Sequence, residues 1–288
     1  MKKFLIKLFL IGLPIIIPFI LIRFISTDEE SKIKTYSKLP LKNNIIFFGD
    51  SKSLVGLDYS ILKTKFPDYN IVNLSIWAKN PKYIYSVYKD IIREKNISES
   101  YVVYNLTFRH ILNRIDINYK GYDTKSKIKH ILKKSLKKEY KFKYFKDKNH
   151  FIAIQESKFG DTGNAIGWYN KLEADYIDDF QTQLKYVDSL KQLFNKKNNY
   201  FTTTELPHRS ALDSIYQKLT YYKVYRQTVD SFFPENLYFG YINSLENKKY
   251  WHNQDHLRLN GAKAFTEIFI KKYDSLYFNP VVSPKTKP

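Results

Sequence analysis

Two stretches of this 288-residue sequence hold residues whose types and spacing suit acyl-transfer chemistry. The first is Phe47-Phe48-Gly49-Asp50-Ser51-Lys52-Ser53, the second Trp251-His252-Asn253-Gln254-Asp255-His256-Leu257. A serine hydroxyl is inert until a base within hydrogen-bond reach takes its proton, so Ser51 has chemical meaning only with a partner such as His256. Gly-Asp-Ser alone also suits a plain turn and helix N-cap. His256 stands shortly before a helix-length stretch, Gly261 to Tyr277, so its loop can return to the edge of a sheet.

The remaining candidates are weaker. His208, after Glu205-Leu206-Pro207, reads as part of a solvated loop, with lining of the same sheet edge as the alternative. His252 reads as a solvated neighbour of His256. His110, His130 and His150 have no acidic partner at metal-ligand spacing, so no metal and no cofactor are expected. With zero cysteines, disulfides, thiolate metal sites and a thiol nucleophile are excluded, which leaves a hydroxyl, amine or carboxylate for covalent chemistry.

What must position these groups is a repeating pattern. Short apolar runs at 44–48, 69–76, 100–107, 199–204 and 236–241 alternate with helix-length stretches at 58–66, 81–95, 170–196, 210–233 and 261–277. Parallel strands need crossovers, and the usual crossover is a helix, so the pattern predicts an α/β fold with a mostly parallel five-stranded sheet covered on both faces. Such sheets bind ligands beyond the C-terminal ends of their strands, where the run 44–48 delivers Ser51. Residues 108–168 break the rhythm and read as an insertion within a domain spanning 44–280, followed by a tail, 281–288.

Residues 1–25 read as an uncleaved transmembrane anchor. The run from Phe4 to Ile25 is apolar apart from Lys7 and Arg23, long enough to cross a hydrocarbon layer of about 30 Å, and no small-residue cleavage site follows it. Residues 26–43, polar and without apolar periodicity, read as a linker. The formal charge of +20 favours anionic surroundings. Nearly half of that excess lies between Lys125 and Lys148, where Ile128, Ile131, Leu132, Leu136 and Tyr140 recur at helical spacing. That amphipathic stretch reads as a covering helix with a basic face, a membrane-surface contact or a clamp on an anionic glycan. No nucleic-acid motif is present, and none is expected as a partner.

The Gly-Asp-Ser block after a first strand, together with a histidine followed by Leu257, Gly261-Ala262 and Phe265-Thr266, resembles the SGNH (GDSL-type) hydrolases and acyltransferases, closest to envelope-associated, membrane-anchored members. The resemblance spans roughly 44–277 and implies a three-layer α/β/α sandwich. It implies Ser51 as nucleophile, His256 as general base, and the Ser51 N–H as part of an oxyanion hole. It also marks Asp50, Ala78 and Asn105 as the positions for oxyanion or substrate contact. Three positions depart from the family pattern. Asn253 stands where the family has the aspartate that orients the histidine, with Asp255 the only nearby carboxylate in sequence for that role; no glycine occurs in the block from Asn73 to Asn80, and Asn105 lacks the family's preceding glycine. The function implied is an O-acyl esterase or acyltransferase acting on an acylated or anionic cell-envelope polysaccharide. It would sit in the inner membrane with its soluble domain in the periplasm, with a membrane-bound acyltransferase as a partner. The competing reading is an inactive domain of the same fold that binds glycan or partner proteins.

Overall fold

A computed structural model describes residues 28–111, 144–146, 152–154 and 177–277. The expected anchor and the tail lie outside them, as does the lysine-rich stretch apart from Tyr144–Lys146. Among the described residues no helix is long and apolar enough to cross a membrane.

The predicted sheet is present, and every pairing in it is parallel. Strands β1 (Asn44–Phe48), β2 (Asn70–Asn73), β3 (Tyr101–Asn105), β6 (Tyr200–Glu205) and β7 (Leu237–Tyr238) lie in the order β2-β1-β3-β6-β7. β4 (Tyr144–Lys146) and β5 (Ile152–Ile154), within the expected insertion, form a separate antiparallel pair. The central strand β1 is buried along its whole length, as its continuous apolar run requires. Because successive side chains point to opposite faces, it feeds two cores. Ile46 and Phe48 join Val102 and Tyr104 on one side, while Ile45 and Phe47 join Val103 on the other.

Helices cover both faces, giving the three-layer sandwich. On the Ile46 face lie α4 (Pro81–Glu94), α6 (Ile177–Asn195), α7 (Ser210–Tyr216) and α8 (Thr220–Phe232). On the Ile45 face lie α3 (Tyr59–Lys65) and α9 (Leu259–Tyr277). Two shorter helices, α2 (Ser51–Gly56) and α5 (Phe108–Ile111), start just past the ends of β1 and β3. α4 has the strongest local signals: Asn80 caps it by accepting the Tyr83 N–H at 2.9 Å, and Pro81 takes its first turn. Phe108 anchors α5 against Phe180, Tyr216, Tyr221, Tyr222 and Tyr225, with ring centroids 4.9–5.8 Å apart.

The structure differs from the sequence pattern at two elements. Residues 28–37, expected to be part of a linker without apolar periodicity, form helix α1 (Asp28–Ser37) packed on α4. Its inward face is built from Glu29, Lys32 and Tyr36, at helical spacing but with polar ends. Two of these polar ends are met on the domain: Glu29 Oε1 accepts the Tyr83 hydroxyl at 3.0 Å, and Lys32 Nζ donates to the Ser75 carbonyl. A hydropathy pattern cannot register a face whose burial depends on such partners. The single helix expected over 210–233 is two, because Lys218 N–H and Leu219 N–H turn back onto the Ile215 and Tyr216 carbonyls and close α7 before α8 begins.

The strand order fixes where a ligand would sit. The chain runs from β1 to β2 on one side, then returns to place β3 on the other side of β1. At such a reversal the loops leaving neighbouring strands part and open a crevice beyond their C-terminal ends. Ser51 and Asn105 stand at those two ends.

Candidate active site

Gly49 turns the chain from β1 into α2. Its φ is +148°, and a Cβ on it would lie 2.9 Å from the Cβ atoms of Asn105 and Ser53. A side chain would therefore meet both conformational strain and a collision. Asp50 follows as the N-cap, its carboxylate accepting the Lys52 N–H at 2.9 Å. Ser51 is then the first helical residue. Its N–H precedes the first intrahelical bond, which runs from Leu54 N–H to the Asp50 carbonyl, and so has no acceptor within the helix.

His256 reaches Ser51 from a pinned loop. Trp251 and Leu257 pair across its base, His252 N–H donates to the His256 carbonyl at 2.8 Å, and Arg258 N–H donates to the Tyr250 carbonyl at 2.8 Å. Gly261 lets α9 cross this loop closely, since a Cβ there would fall 2.1 Å from the Tyr250 carbonyl oxygen. The outcome is a distance of 2.8 Å between Ser51 Oγ and His256 Nε2. On the other side of the ring, His256 Nδ1 lies 3.2 Å from Asn253 Oδ1. The same oxygen accepts the backbone N–H groups of Asp255 at 2.9 Å and His256 at 2.8 Å. An acceptor at Nδ1 favours the tautomer with its proton there, leaving Nε2 to take the Ser51 proton. Trp77 lies parallel to the imidazole, with 5.9 Å between ring centroids and 18° between planes.

The other expected site residues are distributed as follows. Asp255, the alternative ring orienter, places its carboxylate 3.0 Å from Lys52 Nζ. Ala78 is exposed beside Trp77 and has φ +53°, the left-handed region that a glycine would occupy without strain. Asn105 is only 1% exposed; its amide donates to Asp50 Oδ1 at 3.4 Å and its oxygen accepts the Leu206 N–H at 3.3 Å. Asp50 also accepts the Thr107 hydroxyl at 2.6 Å, so Asp50 and Asn105 tie the ends of β1, β3 and β6 together. Among the described residues no group of three or more His, Asp or Glu is arranged to hold a metal.

No family model matches the chain, and no curated protein matches it. Solved structures similar to it do exist. One is a lipase/acylhydrolase from Enterococcus faecalis, at 7% identity, covering 81% of this chain and 96% of that one, with a TM-score of 0.42. Another is an acetyl xylan esterase from Geobacillus stearothermophilus, at 11% identity, covering 81% of this chain and 96% of that one, with a TM-score of 0.41.

Two histidines are not the solvated residues expected. His208 is buried, with Nε2 3.0 Å from Asp213 Oδ1 and its ring edge-on to Tyr216. Burial presses its pKa below the ordinary imidazole value, opposed by the Asp213 carboxylate. His252 is buried as well, its pKa pressed down to about 4 by desolvation and by the nearby His256 and Arg258. The readings on His110, His130 and His150 concern side chains outside those described. Lys52 is the site residue that sequence reasoning passed over: a lysine beside a candidate nucleophile reads as a surface charge, yet its side chain is 7% exposed. Glu205, which precedes His208 at the end of β6, accepts from Tyr225 and Asn236, each at 3.0 Å, and pairs with Arg226.

Proposed function

We propose that this chain is an SGNH-like O-acyl esterase or acyltransferase working through a Ser51–His256 centre. The observation that carries this reading is the 2.8 Å contact between Ser51 Oγ and His256 Nε2 beyond the C-terminal edge of a parallel sheet. Ser51 Oγ would attack an ester carbonyl and pass its proton to His256 Nε2. The Ser51 N–H would stabilise the oxyanion. Collapse of the tetrahedral intermediate would break the bond to the alcohol, which leaves with the proton from His256. Water, or a sugar hydroxyl, would then attack the acyl-serine with His256 as base, releasing an acid or a new ester and freeing Ser51. Asn253 would hold the imidazole ring throughout.

The substrate in this reading is an acylated polysaccharide of the cell envelope. Support comes from the apolar run from Phe4 to Ile25, which suits an inner-membrane anchor with a periplasmic domain, and from the formal charge of +20, which suits an anionic glycan or membrane surface.

The decisive experiment is hydrolysis of 4-nitrophenyl acetate by the full chain in detergent micelles, comparing wild type with Ser51→Ala and His256→Ala. Each substitution should lower turnover by about 10³-fold or more. Turnover that survives Ser51→Ala would refute the serine mechanism. If the wild type neither turns over nor reacts with a fluorophosphonate at Ser51, a glycan- or protein-binding domain is the better reading. Adding an oligosaccharide acceptor and identifying the acylated product separates transferase from esterase.

A further inference from the structure

A charged residue next to the nucleophile and a charged residue next to the base meet. Lys52 follows Ser51, Asp255 precedes His256, and Lys52 Nζ stands 3.0 Å from Asp255 Oδ1 with both side chains almost wholly buried. Lys52 Nζ also donates to the Leu206 carbonyl at 3.2 Å, at the end of β6. One ammonium group thus joins the turn that carries the nucleophile, the loop that carries the base, and the end of a sheet strand. Removing two opposite charges from water is costly, and in general a hydrophobic pair packs there at least as well, so a buried pair at this position invites an explanation beyond stability.

We propose that Lys52 and Asp255 are positioning residues which lock the His256 loop onto the Ser51 helix and hold the electrostatic balance around His256. This inference rests on the Ser51–His256 reading above. Asn253 orients the ring by hydrogen bonding but brings no charge to it, so the net charge near the imidazole is set by its other neighbours. On the nucleophile turn these are Ser51, Asp50 and Lys52; on the histidine's own loop they are Asp255, His252 and Arg258; the segment after β2 contributes the uncharged ring of Trp77; and after β6 stands His208, which interacts with both Lys52 and Asp255. With the pair intact, the ammonium and the carboxylate offset each other. Removal of one partner takes away the charge that offsets the other, one residue from the reacting groups.

The test measures the rate at which Ser51 of the full chain in micelles is labelled by a fluorophosphonate, as a function of pH, for wild type, Lys52→Met, Asp255→Asn and the double variant. In this reaction Ser51 Oγ bonds to phosphorus, fluoride leaves, and His256 takes the proton. Lys52→Met removes the ammonium that offsets the Asp255 carboxylate, which favours the imidazolium, so the acid limb of the profile should move to higher pH. Asp255→Asn leaves a bare ammonium, and the limb should move to lower pH. The double variant should return the limb to the wild-type position, yet label about 10²-fold more slowly on its plateau, because the loop is no longer fastened to within an ångström.

A double variant with the wild-type plateau would overturn the proposal, as would single variants whose limbs move in the same direction. If a single variant does not fold, the neutral double variant and Lys52→Arg still report the plateau, and Lys52→Arg should recover part of it. Wild type that is not labelled at Ser51, or is labelled equally after His256→Ala, would instead refute the underlying serine mechanism. That result is distinct from a wild type labelled normally with variants that behave alike.

Discussion

A single oxygen of Asn253 serves three N–H groups of the base loop: it lies 3.2 Å from His256 Nδ1 and accepts the backbone N–H groups of Asp255 and His256 at 2.9 Å and 2.8 Å. The residue therefore shapes the loop and orients the ring together. Asn253→Ala should lower turnover of an aryl acetate by about 10²-fold through lost ring orientation. Asn253→Asp should keep the geometry and add a charge that stabilises the imidazolium, moving the acid limb of kcat/KM to higher pH and raising the plateau. Steady-state kinetics across pH would show both effects, and unchanged activity in Asn253→Ala would contradict the assigned role.

The Trp77 indole covers one face of the imidazole, and packing of this kind contributes about 0.5–1.5 kcal/mol beyond area burial. Trp77→Ala should consequently lower kcat by about threefold to tenfold, with the Ser51 labelling site unchanged. A Trp77→Phe variant recovering most of the loss would separate stacking from any role of the indole N–H.

Gly49 adopts a φ of +148° with Asn105 and Ser53 only 2.9 Å from where a Cβ would sit. Gly49→Ala should destabilise the fold by about 1–3 kcal/mol from backbone strain, with the collision adding to it. Urea denaturation would measure the loss. A variant of wild-type stability would show that the turn relaxes without consequence.

Phe108 is 3% exposed and sits at the centre of five aromatic rings. Phe108→Ala should cost about 3–5 kcal/mol, the usual consequence of emptying a packed aromatic site. Chemical denaturation reads this directly, and a loss below about 1 kcal/mol would mean that the α5–α6–α8 contact rearranges freely.

The folded-state pKa of His252 is about 4, below the ordinary imidazole value of 6.5. Between those values the unfolded chain binds the extra proton and the folded chain does not, so stability should fall as pH drops from 6.5 to 4 and level off below it. The contribution is on the order of 2 kcal/mol, allowing for partial solvent screening. His252→Gln should flatten this slope in a series of melts from pH 7 to pH 4. His208, also pressed down by burial, adds a slope of the same sign that the substitution leaves in place.

By itself the sequence determined the parts of this protein that are written locally. β1 is five consecutive buried residues ending in a glycine turn, α4 has its cap and first-turn proline in place, and apolar runs alternate with amphipathic stretches, so the parallel sheet and its two helical layers were legible from period and punctuation. Ser51 and His256 were legible as candidates because each stands at the boundary of such an element. Tertiary structure alone decided what depends on partners distant in sequence. Helix α1 was hidden because Glu29 and Lys32 are buried through contacts with Tyr83 and Ser75, which no hydropathy pattern encodes. The burial of His208 and the pairing of Lys52 with Asp255 were hidden for the same reason. A polar residue is expected at the surface until the fold brings a hydrogen-bonding or charged partner to it, and in these cases only the closed structure does so.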